Sequence, residues 1–240
     1  MTPVLPDVPA VELQIIEMTN AYRAKHALGA VKRNPKLDAA ARAYAAYLAR
    51  TGTFSHDADG KQPAGRAQAA GYQHCQVAEN LAMAMSSRGF QTSALARQAV
   101  DGWIQSPAHR RNLLASHVSE IGVGVVRAPD KHPKYITVQM FGRPRSEMYA
   151  FRIKNAAAST VGYTFGGKSH QVGPGYSVRH ETCQPGEITF QVASSGWWWN
   201  SNTVESRFKA AGGQLFVVSQ DQSGEIKVKL EKTNTASSGK

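Results

Sequence analysis

The chain has 240 residues, 42% of them hydrophobic, which exceeds a typical single domain and supplies apolar side chains for two packed units. A formal net charge of +11 attracts anionic surfaces of any kind, but no Lys/Arg block interleaved with aromatics occurs, and specific nucleic acid binding is discounted. No apolar run reaches the roughly 20 residues of a membrane-spanning helix, and two cysteines are too few for a disulfide scaffold.

The opening Met1-Thr2-Pro3-Val4-Leu5-Pro6 has neither the basic start nor the apolar stretch of a secretion signal. The sequence therefore reads either as cytosolic or as a mature chain whose signal has been removed. Val11, Ile15, Met18 and Tyr22 recur at helical spacing, which predicts a first helix closed by Gly29 in the left-handed position. Asn34-Pro35 supplies an N-cap followed by proline at the first helical position, with Leu37, Ala41, Tyr44 and Leu48 on one face until Gly52. A short helix is predicted over 63–70 before Gly71. Thr92 opens a longer one carrying Leu95, Ala99 and Trp103, and Ser106-Pro107 restarts the helix with Ser106 as its cap.

From Ile121 the period becomes alternating, predicting a pair of strands over 121–125 and 135–141, with 79–84 as a further strand of the same sheet. Helices on both faces of that sheet are the economical packing. After Gly142-Arg143-Pro144 come short alternating runs: Phe151/Ile153, Val161/Tyr163/Phe165, Ile188/Phe190/Val192 and Ile226/Val228/Leu230. Turn residues such as Gly166-Gly167, Gly173-Pro174-Gly175 and Ser223-Gly224 separate them. These predict a small antiparallel β-sandwich over 148–232, with 233–240 as a disordered polar tail. Cys75 and Cys183 fall in different halves, and either a bridge between them or two buried thiols fits the pattern.

Three segments carry candidate chemistry: Phe54-Ser55-His56, Ala78-Glu79-Asn80-Leu81-Ala82, and 103–114 with Trp103, Ser106 and His109. By spacing alone His56 and His109 match no local metal-ligand template, and isolated histidines are commonly surface or hydrogen-bonded core groups. Asp57-Ala58-Asp59-Gly60 lacks the remaining ligands of a calcium loop and reads as a turn. Trp197-Trp198-Trp199 alternates across a strand, so Trp197 and Trp199 share a face that either packs in the core or stacks on sugar rings or a lipid interface.

In their order, several patterns resemble the bacterial branch of the CAP superfamily, the cysteine-rich secretory, venom-allergen and pathogenesis-related type of domain. They are Asn20-Ala21-Tyr22-Arg23 with His26, Leu37, Ala41, Ala45-Ala46, Phe54-Ser55-His56, Gly71-Tyr72, Ala78-Glu79-Asn80-Leu81, Trp103 with Ser106-Pro107-Ala108-His109-Arg110, Ile121-Gly122-Val123-Gly124 and Gln139-Met140-Phe141-Gly142. The resemblance covers about residues 10 to 144. It implies an α+β fold, a three-layer α-β-α sandwich over 8–145 with a central cleft, in a secreted or periplasmic protein.

The resemblance also implies that His56 and His109 hold a divalent cation, zinc or another, with Glu79 and Ser106 lining the cleft. Neutral imidazoles are good zinc ligands, and a carboxylate accepts a hydrogen bond from an imidazole or a bound water. Many relatives place a second Glu after the helix Trp, where this chain has Gln105-Ser106. Glu79-Asn80 reads equally as a structural tie between helix ends and loops. Non-catalytic binding of a lipid, glycan or protein outside the cytoplasm is the expected function. The rivals are a zinc hydrolase with Glu79 as general base, and an adhesin acting through Trp197 and Trp199.

Overall fold

A computed structural model describes residues 2–193, 203–222 and 225–232, and the chain divides into two units, Met1–Glu147 and Met148–Lys240. The first unit opens with helix α1 (Val8–Lys25), capped by the Asp7 carboxylate on the amide of Ala10. Strand β1 (Lys32–Arg33) follows, then α2 (Pro35–Thr51), which starts at the predicted Asn34 cap and stops at left-handed Gly52. Helix α3 (Pro63–Ala69), β2 (His74–Met85), α4 (Thr92–Gln105), α5 (Pro107–Leu113), β3 (Glu120–Ala128) and β4 (Lys134–Pro144) complete it.

Two of the helix-end expectations are corrected. The first helix does not run to Gly29; it ends at Lys25, and Ala27 takes the positive φ. Arg23 sets that end, because its guanidinium donates to the carbonyls of Gly29, Leu113 and Ala115 and folds the following turn beneath it. Ser106 occupies the N-cap position of α5, yet its side chain makes no capping bond. Pro107 presets the first turn through its ring.

The four strands form one sheet in the order β1-β3-β4-β2. Successive side chains on β4 point to opposite faces. Tyr135 and Phe141 join α1, α4 and α5, where Val11, Ile15, Leu95 and Trp103 are buried, while Ile136, Val138 and Met140 join Leu37, Ala41, Tyr44 and Leu48 of α2. Helices therefore cover both faces, the three-layer arrangement expected from sequence.

Strand β1 covers only the start of β3, pairing with Glu120 and Ile121. Further along that edge the amides of Val123 and Val125 need other acceptors, and buried carboxylates supply them: Asp38 of α2 accepts from Val123 (2.9 Å) and Glu12 of α1 from Val125 (3.2 Å). Arg33 and Arg42 balance the two charges. Helices from opposite layers are thus stitched to one strand edge.

The second unit contains β5 (Tyr149–Asn155), β6 (Val161–Phe165), β7 (Lys168–Val172), β8 (Ser177–Thr182), β9 (Glu187–Ala193), β10 (Thr203–Lys209), β11 (Gln214–Gln220) and β12 (Ile226–Lys232). They make two four-stranded sheets, β10-β9-β6-β7 and β12-β11-β5-β8, around a core that includes Phe151, Ile153, Tyr163, Phe190 and Phe216. One pairing departs from the all-antiparallel expectation: β11 runs parallel to β5. Between them the chain makes β6 and β7 in the other sheet, β8 beside β5 in this one, and β9 and β10 in the other, and β11 then runs along the free side of β5 in the same direction. Cys75 and Cys183 are both disulfide-bonded, so the reading as two buried free thiols does not hold. Trp197, Trp198, Trp199, Ser223-Gly224 and 233–240 lie outside the described residues.

Close packing of α2 on β3 depends on two glycines. A Cβ at Gly122 would overlap the backbone of Leu37 and Asp38, and one at Gly124 the backbone of Ala41 and Arg42. Gly122→Ala and Gly124→Ala are each expected to destabilise the unit by about 1–3 kcal/mol through overpacking. Gly102→Ala, on an exposed turn of α4 with open space at its Cβ, is expected to stabilise by about 0.5–1 kcal/mol. Urea unfolding of the three variants measures both signs.

Candidate functional site

The site is assembled from a turn, two helices and a strand of the first unit. After α2, the turn carrying His56 is held from below by two helix tyrosines. The buried Tyr44 hydroxyl donates to the Ser55 carbonyl and accepts from the Ala58 amide (3.2 Å), and Tyr47 donates to the Ala58 carbonyl (2.9 Å). Asp57-Ala58-Asp59-Gly60 is a turn, closed by the Gly60 amide on the Asp57 carbonyl (2.8 Å).

Arg66 of α3 is the hub. Its guanidinium lies 3.5 Å from the ring centre of Tyr44 and donates to the His56 carbonyl (2.9 Å), the Lys61 carbonyl (2.7 Å) and Asp59 (2.8 Å). It also donates to both oxygens of Glu79, at 3.0 and 2.8 Å. Glu79 and Arg66 are buried, with side chains 1% and 6% exposed. The sequence reading missed Arg66; its one signal was an arginine in a short alanine-rich helix behind an acidic turn.

Glu79 also accepts from His56 Nδ1 at 2.8 Å. A carboxylate bonded to Arg66 can only accept, so His56 Nδ1 carries a proton, and in the neutral ring the Nε2 lone pair is left free on a side chain that is half exposed. His109 enters from the first turn of α5. Asn80 donates to the His109 carbonyl (3.3 Å) and to Gln139 (3.0 Å), while Asn112 donates to the Glu79 carbonyl (3.0 Å) and to Asn80 (2.8 Å). Trp103 locks α4 to β2 by donating to the Leu81 carbonyl (2.9 Å). Burial first, and then electrostatic repulsion between the two neighbouring imidazoles when both are protonated, holds the His109 pKa below its ordinary value.

His56 and Glu79 therefore bond directly, while His109 is tied to them through its backbone carbonyl and Asn80, and Glu79-Asn80 both orients an imidazole and ties β2 to α5. Ser106 is half-buried and bonds through its side chain to none of the three. Among the described residues no group of three or more His, Cys, Asp or Glu side chains is gathered around an ion-sized space. An apolar hollow of about 400 Å³ lies between α2 and α3, lined by Ala39, Ala43, Tyr44, Tyr47 and Arg66; neither imidazole borders it.

The model of the cysteine-rich secretory protein family, CAP, matches residues 16–141, more than half of the chain. The chain belongs to the CAP family. The match ends within β4, so the CAP domain is the first unit and the β-sandwich lies beyond it. A Bacillus subtilis protein, the uncharacterized YkwD, is 29% identical over 122 residues, half of this chain and 44% of that protein; the chain thus spans less than half of that relative's length. Among solved structures, an extracellular protein containing a SCP domain from Bacillus anthracis is 26% identical, covering 60% of this chain and 45% of that one, with a TM-score of 0.48. An outer surface protein from Borrelia burgdorferi is 22% identical over 55% of this chain and 90% of that one, with a TM-score of 0.47.

Removing Arg66 leaves Glu79 buried without its cation. Arg66→Met is expected to cost the CAP domain about 3–5 kcal/mol in urea unfolding. A second expectation concerns acid. Burial, joined by the charges of Arg143 and Arg23, lowers the His117 pKa, as burial and His56 lower that of His109. Because both folded-state values lie below the ordinary 6.5, the unfolded chain binds more protons. Their stabilising contribution is complete above about pH 6.5 and is lost as pH falls through the folded values. The urea midpoint of the CAP domain should therefore be lower at pH 5.5 than at pH 7.5, and a His109→Gln/His117→Gln variant should show a flatter dependence.

Proposed function

We propose that this CAP protein is a non-catalytic binding module acting outside the cytoplasm, whose His56–His109 pair takes a divalent cation, zinc above all. The observation that carries this reading is the saturation of Glu79. Both of its oxygens accept from Arg66 and one from His56, so it holds an imidazole in place instead of standing free to deprotonate a water. A general base must reach the proton it removes. A histidine whose other ring nitrogen donates to a carboxylate has the usual arrangement of a metal ligand, and the lowered pKa of His109 favours the neutral imidazole that a cation requires.

A bound cation would offer an open coordination position to a donor atom of a ligand. With two imidazoles and no second carboxylate, its affinity would be modest. The disulfide state of Cys75 and Cys183 supports an oxidising compartment, and the +11 charge supports approach to anionic envelope surfaces carrying a lipid, glycan or protein ligand. An adhesin role for Trp197 and Trp199 concerns residues outside those described, and no observation here favours it.

Calorimetric zinc titration at neutral pH tests the reading. His56→Ala and His109→Ala are each expected to remove the same one equivalent of zinc, and Glu79→Gln to weaken it by about 10–100-fold. Peptide libraries should remain uncut by the zinc-loaded protein. Zinc binding unchanged in both histidine variants would refute the cation site, and cleavage abolished by Glu79→Gln would reverse the non-catalytic assignment.

A further inference from the structure

The β-sandwich contains a second pair of imidazoles that the sequence did not single out. On β7, a strand at the edge of its sheet, His170 and Val172 alternate with exposed Ser169 and Gln171. On β8, at the edge of the other sheet, Val178 and His180 alternate with exposed Arg179 and Glu181. Both histidines thus occupy the inward alternation, where a sandwich normally puts apolar side chains. His170 stands opposite Tyr163 in one sheet, and His180 opposite Phe151 in the other.

The two rings meet with centres 5.0 Å apart and planes at 78°. His170 stacks on the ring of Tyr163 (5.2 Å, 18°), His180 stacks on Phe151 (5.0 Å, 20°), and the Tyr163 hydroxyl lies 2.7 Å from His180 Nε2. Both histidines are half-buried rather than sealed. A hollow of about 390 Å³ lined by Gly162, Tyr163, Ser169, His170 and Gln171 opens beside His170.

We propose that His170 and His180 form a transition-metal site at this edge of the β-sandwich, with Tyr163 as the residue that positions both rings. Two imidazoles sharing one ion, each with its nitrogen at about 2.0–2.1 Å, bring their ring centres to about 5 Å, which is the separation found. If His180 Nε2–H donates to the Tyr163 oxygen, the lone pair falls on Nδ1, and the phenol plays the outer role that a carboxylate or carbonyl plays behind other metal-bound histidines. Imidazole donors suit zinc, nickel and copper, with Cu²⁺ the tightest of the divalent series. Two protein nitrogens leave the remaining positions to water or to a donor from outside. Because one ligand comes from each sheet, the ion would also clip the two edge strands together.

The test uses the full-length, untagged, oxidised protein carrying His56→Ala and His109→Ala, so that the CAP cleft contributes nothing. Titration with Cu²⁺, followed by calorimetry and by electron paramagnetic resonance, is expected to give one equivalent with imidazole nitrogen splitting. His170→Phe and His180→Phe, which keep an aromatic ring in the cluster, should each abolish it, and Tyr163→Phe should weaken it about 10–100-fold. A measurement that needs no substitution at the site covers the case of poorly folding variants: Zn²⁺ added to the same protein should shift the imidazole C–H resonances of His170 and His180 ahead of those of His26, His74, His117 and His132. Copper binding that survives both phenylalanine variants, or zinc shifts that spare His170 and His180, would overturn the proposal.

Discussion

The CAP domain's candidate site rests on the charge of Arg66. A carboxylate as deeply buried as Glu79 is tolerable only beside a cation, and an arginine as deeply buried as Arg66 only where its donors find acceptors. Each supplies what the other lacks. The turn carbonyls of His56 and Lys61 and the Asp59 carboxylate take the other donors of its two terminal nitrogens, while the buried Nε–H is left without a partner among the described residues, so one side chain fixes the turn, the strand and the short helix relative to one another. His56 is aimed as a by-product: its backbone is held by Arg66, its Nδ1 by Glu79, and only the far edge of its ring stays open. The same bonds that orient the imidazole engage both oxygens of Glu79.

A similar economy closes the sheet. A full-length neighbour for β3 would satisfy the amides of Val123 and Val125, but β1 is two residues long. Asp38 and Glu12 replace the missing strand with carboxylates from both helical layers. Gly122 and Gly124 let α2 come close enough for Asp38 to reach. The alternation Ile121, Gly122, Val123, Gly124, Val125 therefore encodes one face for the α1 core and one bare face against α2.

The histidine pairs of the two units differ in how they are supported. His56 leans on a carboxylate that an arginine neutralises, whereas His170 and His180 are held by aromatic stacking and one phenol. The first arrangement keeps its ion-pair network buried and offers a single ring edge. The second sits at a sheet margin, where backbone pairing ends and an inward polar side chain also discourages another chain from adding to the edge.

Much was legible before any coordinates. Asn34-Pro35 and Gly52 bound α2, Gly71 follows α3, and the change of period at Ile121 marks the sheet, because caps, prolines and alternation act within a few residues. The family followed from the order of its motifs, and His56, Glu79 and His109 were singled out with it. Where local signals compete with distant bonds, sequence reading failed: α1 stops early because Arg23 reaches carbonyls about ninety residues away, and β11 lies parallel to β5 through a path no periodicity records. The role of Arg66 and the meeting of His170 with His180 escaped sequence reading for the same reason. The sequence by itself determined elements, caps and family; only the tertiary structure decided which polar side chains meet, since hydrogen bonds and ion pairs act over a few ångströms in space and are indifferent to separation along the chain.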